Sequence, residues 1–121
     1  MLVHLFGMDI SPSSRISWGV ILDKTNPKGI HIGEESYVAS GSVILAHDFS
    51  RDIHTDTYIG RRCFIGTNVV VLPGITIGDS VVIGAGSVVT KDVPTGCVAV
   101  GNPARIIREN IVTGRYGKVL N

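Results

Sequence analysis

Cysteine is scarce. Its two residues, Cys63 and Cys97, stand far apart with no C-x-x-C, which excludes a disulfide framework and a zinc knuckle and points to a reducing compartment. Charge is also low at 17%, with eleven Lys and Arg against ten Asp and Glu. That balance excludes a nucleic acid or an acidic membrane surface as the main partner. No apolar run is long enough to span a bilayer, and the opening Met1 to Phe6 lacks the basic flank and cleavage site of a signal peptide. A cytoplasmic chain without membrane insertion is therefore expected. Walker, Rossmann and nucleophile-elbow motifs are missing too. Aromatics make up only 6%, yet 44% of residues are hydrophobic, too many for a disordered chain. At 121 residues the expectation is one domain, 1–121.

What the chain has in quantity is glycine, fifteen residues, together with Val and Ile. They are arranged periodically. Apolar residues recur every six positions at Ile59, Ile65, Val71, Ile77, Ile83 and Val89, and earlier at Ile32, Val38 and Ile44, with a fainter trace at Ile10, Ile16 and Leu22. A period of six fits neither a 3.6-residue helix nor simple strand alternation. Several hexads carry Gly directly after the apolar residue, where a sharp bend or close backbone approach tolerates no large side chain. Four residues on comes a second small or aliphatic side chain: Ser36, Ser42, Cys63, Val69, Ile75, Val81, Ser87 and Val93. Each hexad then reads as a short strand plus a corner, three hexads return the chain to its start, and stacked coils lie about 4.8 Å apart. Two register breaks, at about 23–29 and 49–57, are expected as loops. Leu2 to Phe6 is expected to cap one open end and a tail over about 104–121 the other.

The pattern resembles the hexapeptide-repeat acyltransferases, and is similar to their maltose- and galactoside-type sugar O-acetyltransferases. The resemblance runs from about Ile10 to Arg108 and is strongest from Tyr58 onward. It implies an all-β fold, a left-handed parallel β-helix of about four coils with a protruding loop and a short irregular C-terminal tail. It also implies a homotrimer with sites between subunits, and acetyl-CoA as co-substrate. No N-terminal helical domain precedes the coil here, so a minimal form is expected.

Within that resemblance His47, in the run Leu45-Ala46-His47-Asp48 at the junction of coil and loop, stands where the family's general base stands. A free imidazole suits the role because it titrates near neutrality. Asp48 and His54 are candidates for acceptor binding, whereas His4 and His31 read as structural or surface residues. The runs GAGS, VTKDVP and GNPARIIR resemble the family's coenzyme site. They nominate Gly84 and Ala85 for the pantetheine arm, Thr90 and Lys91 for the nucleotide half, and Arg105 and Arg108 for its phosphates, to which guanidinium pairs bidentately. Phe64 and Thr67 are two further wall positions. The expected activity is O-acetylation of a sugar or polysaccharide-precursor hydroxyl by direct transfer, since Cys63 sits at a core position. Rival readings are N-acetylation of an amino sugar, a γ-class carbonic anhydrase-like zinc enzyme, and a non-catalytic solenoid subunit. For the zinc enzyme, His47 and His54 lack a regular third partner.

Overall fold

In the computed structural model, which describes residues 7–121, the hexads wind into a three-sided parallel coil. One face carries β1 (Asp9–Ile10), β4 (Ile30–Ile32), β9 (Thr57–Ile59) and β12 (Thr76–Ile77). The second carries β2 (Arg15–Ile16), β5 (Tyr37–Val38), β10 (Phe64–Ile65), β13 (Val82–Ile83), β15 (Val98–Gly101) and β16 (Ala104–Arg108). The third carries β3 (Ile21–Leu22), β6 (Val43–Ile44), β11 (Val70–Val71) and β14 (Val88–Val89). The chain visits the faces in rotation, completing four coils, and opens a fifth through a parallel bridge between Ile77 and Val93 and through β15.

Stacking in register makes each repeat position a column. Ile32, Ile59 and Ile77 pair on the first face, Val38, Ile65 and Ile83 on the second, Ile44, Val71 and Val89 on the third, and all are buried. The second small position points inward as well. Ser36 and Ser42 are fully buried, donating to Gly60 O at 2.6 Å and Gly66 O at 2.7 Å while accepting from Cys63 N and Val69 N of the next coil. A buried hydroxyl is tolerated because both its roles are filled. The corner glycines have a steric cause. A Cβ on Gly33 would lie 2.6 Å from Gly60 O, and one on Gly60 would lie 2.7 Å from Gly78 O, so successive corners touch backbone to backbone.

Three of these segments take definite form. The break placed at 49–57 is a β-hairpin, β7 (His47–Asp48) against β8 (Ile53–His54), and Thr57 is a fully buried member of β9. The break at 23–29 carries a short 3-10 turn over Pro27–Gly29. The stretch from Ala104 is not irregular at first, because β16 runs antiparallel to β15 and closes the second face. Beyond it the chain folds back down the stack: Ile111 N donates to Gly96 O, Thr113 Oγ1 to Arg62 O, and Tyr116 N to Glu35 O. Leu2 to Phe6 and His4 lie outside the described residues.

On the outside of the first face His31 ties three coils together. Its Nδ1 and Nε2 each lie 2.8 Å from a carboxylate, Asp9 and Asp56, and its ring stacks on Tyr58 with centroids 4.3 Å apart. Only the imidazolium has an N–H for each carboxylate. Partial burial pushes the His31 pKa down, but the two carboxylates outweigh it and leave the value raised. A raised folded-state pKa gives stability that is present below the ordinary value of 6.5 and is lost as pH rises through the raised one. The stability gap between wild type and His31→Gln in urea unfolding should therefore be widest near about pH 6 and close toward about pH 9. A gap constant over that range would show that the imidazole charge has no part in it.

Candidate active site

The hairpin leaves the coil at the corner between the third and first faces. His47 and His54 are directly opposed in it, and in an antiparallel pair opposed side chains share a face. Their rings meet edge to face with centroids 4.9 Å apart, and the His47 ring also meets Phe49 at 6.4 Å. His47 is half-buried at the root, while His54 is exposed. The root is firmly bonded: Thr55 N donates to Ala46 O at 2.9 Å, Thr57 Oγ1 donates to Leu45 O at 2.6 Å, and Gly74 N donates to Thr57 Oγ1 at 3.0 Å.

Asp48 shapes the hairpin turn. Its Oδ1 accepts from Ser50 Oγ at 2.8 Å and Arg51 N at 3.3 Å, and its Oδ2 accepts from Arg51 Nε at 2.7 Å. The Arg51 guanidinium, with Ser50, holds the carboxyl at a pKa of about 2. It is thus an anion tied to the turn and turned from the imidazoles by strand alternation. Phe49, with 88% of its surface exposed, was not singled out in the sequence. The available signal was a phenylalanine in a polar loop of a chain poor in aromatics.

Thr90 and Lys91 lie on the same corner as His47, two coils further along, roughly 10 Å by strand spacing. Thr67, Gly84 and Ala85 lie on the opposite edge of the third face, at its corner with the second. Gly84 has an internal reason for its size, since a Cβ there would lie 2.6 Å from Val100 Cγ2. Ala85 and Thr67 are exposed. Phe64 points out of the second face, edge-on to Tyr37 at 5.6 Å, with Gly117 of the C-terminal segment packed against its backbone. Arg105 and Arg108 are exposed on β16, and Arg108 Nη2 donates to Asn121 O at 2.8 Å. One chain therefore gathers His47, Asp48, Phe49 and His54 on the hairpin, aligns Thr90 and Lys91 with it along one corner, and holds Thr67, Gly84 and Ala85 at the opposite edge of the third face and Phe64, Arg105 and Arg108 on the second. Among the described residues no group of three His, Cys, Asp or Glu side chains could hold a metal ion, and no helix is long and apolar enough to cross a membrane.

Comparison with known proteins places the coil within a family. The pattern of the bacterial transferase hexapeptide family (six repeats) matches residues 56–91. The solved maltose O-acetyltransferase of Clostridium difficile 630 is 31% identical and superposes with a TM-score of 0.66 over 89% of this chain and 72% of that one. Serine acetyltransferase 2 of Arabidopsis thaliana is 38% identical over 112 residues, covering 87% of this chain and 33% of its own. Galactoside O-acetyltransferase of Escherichia coli is 61% identical over 51 residues, covering 42% of this chain and 25% of its own. The chain thus spans a third or less of the length of these two curated relatives.

Neither thiol is placed for chemistry. Cys63 is fully buried, donates to Gly78 O at 3.0 Å, and is pushed by burial to a pKa of about 11. Cys97 is buried as well. A thiol reagent at about pH 8 should label neither residue in the native protein and both after unfolding, because the thiolate is the reactive form. Rapid labelling of native Cys63 would show that the core opens.

Proposed function

Because the chain belongs to the bacterial hexapeptide-repeat transferases, whose coil is a left-handed parallel β-helix, we propose that it moves the acetyl group of acetyl-CoA to a hydroxyl of a sugar or polysaccharide precursor in the cytoplasm. The observation that carries this reading is His47, half-buried on a bonded hairpin root and aligned along one corner with Thr90 and Lys91. The sugar acceptors named for two of the relatives support the substrate class.

The imidazole of His47 takes the acceptor's proton as its oxygen attacks the thioester carbonyl. The tetrahedral adduct collapses, the C–S bond breaks, and the imidazolium returns the proton to the departing thiolate. Transfer is direct, a reading supported by the high pKa and burial of Cys63. Lys91, Thr90 and Arg105 meet the coenzyme's phosphates and nucleotide, with Arg108 secondary because its guanidinium already serves Asn121. His54 faces the acceptor beside His47, and Asp48 contributes by fixing the turn.

The third face supports a trimer. Its outward column is aliphatic, Ile21, Val43, Val70 and Val88, with candidate residues along both edges that one copy cannot bring together. Facing walls of two copies unite an edge bearing His47 and Lys91 with one bearing Thr67, Gly84 and Ala85, and cover the apolar column.

His47→Ala should lower kcat at least about a hundredfold with the KM for acetyl-CoA little changed, and undiminished turnover would remove His47 from the mechanism. By calorimetry the Arg105→Ala, Arg108→Ala double variant should bind acetyl-CoA about tenfold or more weakly. Equal affinity would move the phosphate site elsewhere. Light scattering should give about three times the 12.9 kDa chain mass, and a monomer would overturn the shared site.

A further inference from the structure

Both register breaks fall at the same corner of the stack, one coil apart, so the 23–29 segment lies directly beneath the hairpin root. Its side chains reach across. Asn26 Nδ2 donates to Ala46 O at 2.9 Å and to Thr55 O at 2.8 Å, the carbonyls just before His47 and just after His54. Asp23 Oδ2 accepts from Ala46 N at 3.0 Å. Ala46 is fully buried, so both of its backbone polar groups depend on partners inside the protein, and this segment supplies one for each. The orientation of the Asn26 amide is set by chemistry, because both partners are acceptors and only its NH2 end can serve them. Gly29 seals the contact from below: a Cβ there would collide with Thr55 O and lie 3.0 Å from Ala46 Cβ.

From this we infer that Asn26 is a positioning residue for His47, acting with Asp23 as a brace that holds the two strands of the hairpin at the separation and angle that set the paired imidazoles. Asn26 touches no reacting atom. It acts through the Ala46 and Thr55 carbonyls, and its catalytic consequence rests on the proposed role of His47 as base. Misplacing a reacting group by about an ångström costs on the order of a hundredfold in rate, so a brace one residue from the base bears on turnover more than on coenzyme binding.

The test exchanges the donor without changing the shape. Asn26→Asp turns an oxygen toward two carbonyl oxygens, so it should do more harm than Asn26→Ala, whereas a side chain that only fills space would tolerate it. Expected are a kcat lowered by about tenfold to a hundredfold with the KM for acetyl-CoA within about twofold, and displaced His47 and His54 imidazole resonances in NMR. Asn26→Asp with wild-type kcat and wild-type His47 resonances would overturn the inference. Should both Asn26 variants unfold, Asp23→Ala and Asp23→Asn decide. Asn keeps an acceptor for Ala46 N and should restore the imidazole signature that Ala loses, and no difference between the two would sink the brace. If the wild-type protein acetylates no sugar acceptor, the imidazole resonances still report on the brace, and the failure then belongs to the catalytic reading.

Discussion

Everything in this molecule hangs on the hydrogen-bond ladder between one coil and the next. Tyr37 N donates to Cys63 O, Phe64 N to Val81 O and Val82 N to Cys97 O, each within 3.0 Å, and the same ladder runs up the other faces. Strands of two residues have no stability of their own, so each coil exists because its neighbours satisfy its backbone and share its column of Ile and Val. The ladder leaves open ends. At the C-terminal end β16 closes the second face with arginines on its edge, and the following segment laces coil five back to coils three and two.

A wall built this way is stiff but flat, and chemistry needs something to stand out from it. The chain breaks register twice at one corner, and the insertions support each other because they stack as the coils do. The hairpin presents His47, His54 and Phe49 with its root bonded from three sides: by Asn26 and Asp23 below, by its own Thr55 and Thr57, and through Thr57 by Gly74 above. A protruding arm thus inherits the precision of the coil.

Charge follows the same local logic. A chain of near-zero net charge spends its ions as ties between coils: His31 with Asp9 and Asp56, Glu35 with Arg62 at 2.9 Å and Arg115 at 3.8 Å, and Asp48 with Arg51 inside the hairpin. Such exposed pairs add little energy individually.

The six-residue period by itself determined the coil, its number of turns, the inward columns and even the buried serines, because in a stacked repeat a residue's environment follows from its place in the hexad. Val69, Val81 and Ser87 could be assigned to the interior with no knowledge of what they touch. Only the tertiary structure decided what the breaks in the period do. Nothing local in DKTNPKG says that Asn26 reaches carbonyls 20 and 29 residues away, since those bonds arise from two insertions sharing one corner. Likewise His31 reads as a structural or surface histidine, and only stacking sets Asp9 and Asp56 against its two nitrogens. The prism sets the nominated Gly84 and Ala85 at a different corner from their sequence neighbours Thr90 and Lys91, and beside Thr67 of the coil before, because successive hexads lie on different faces and every third one stacks.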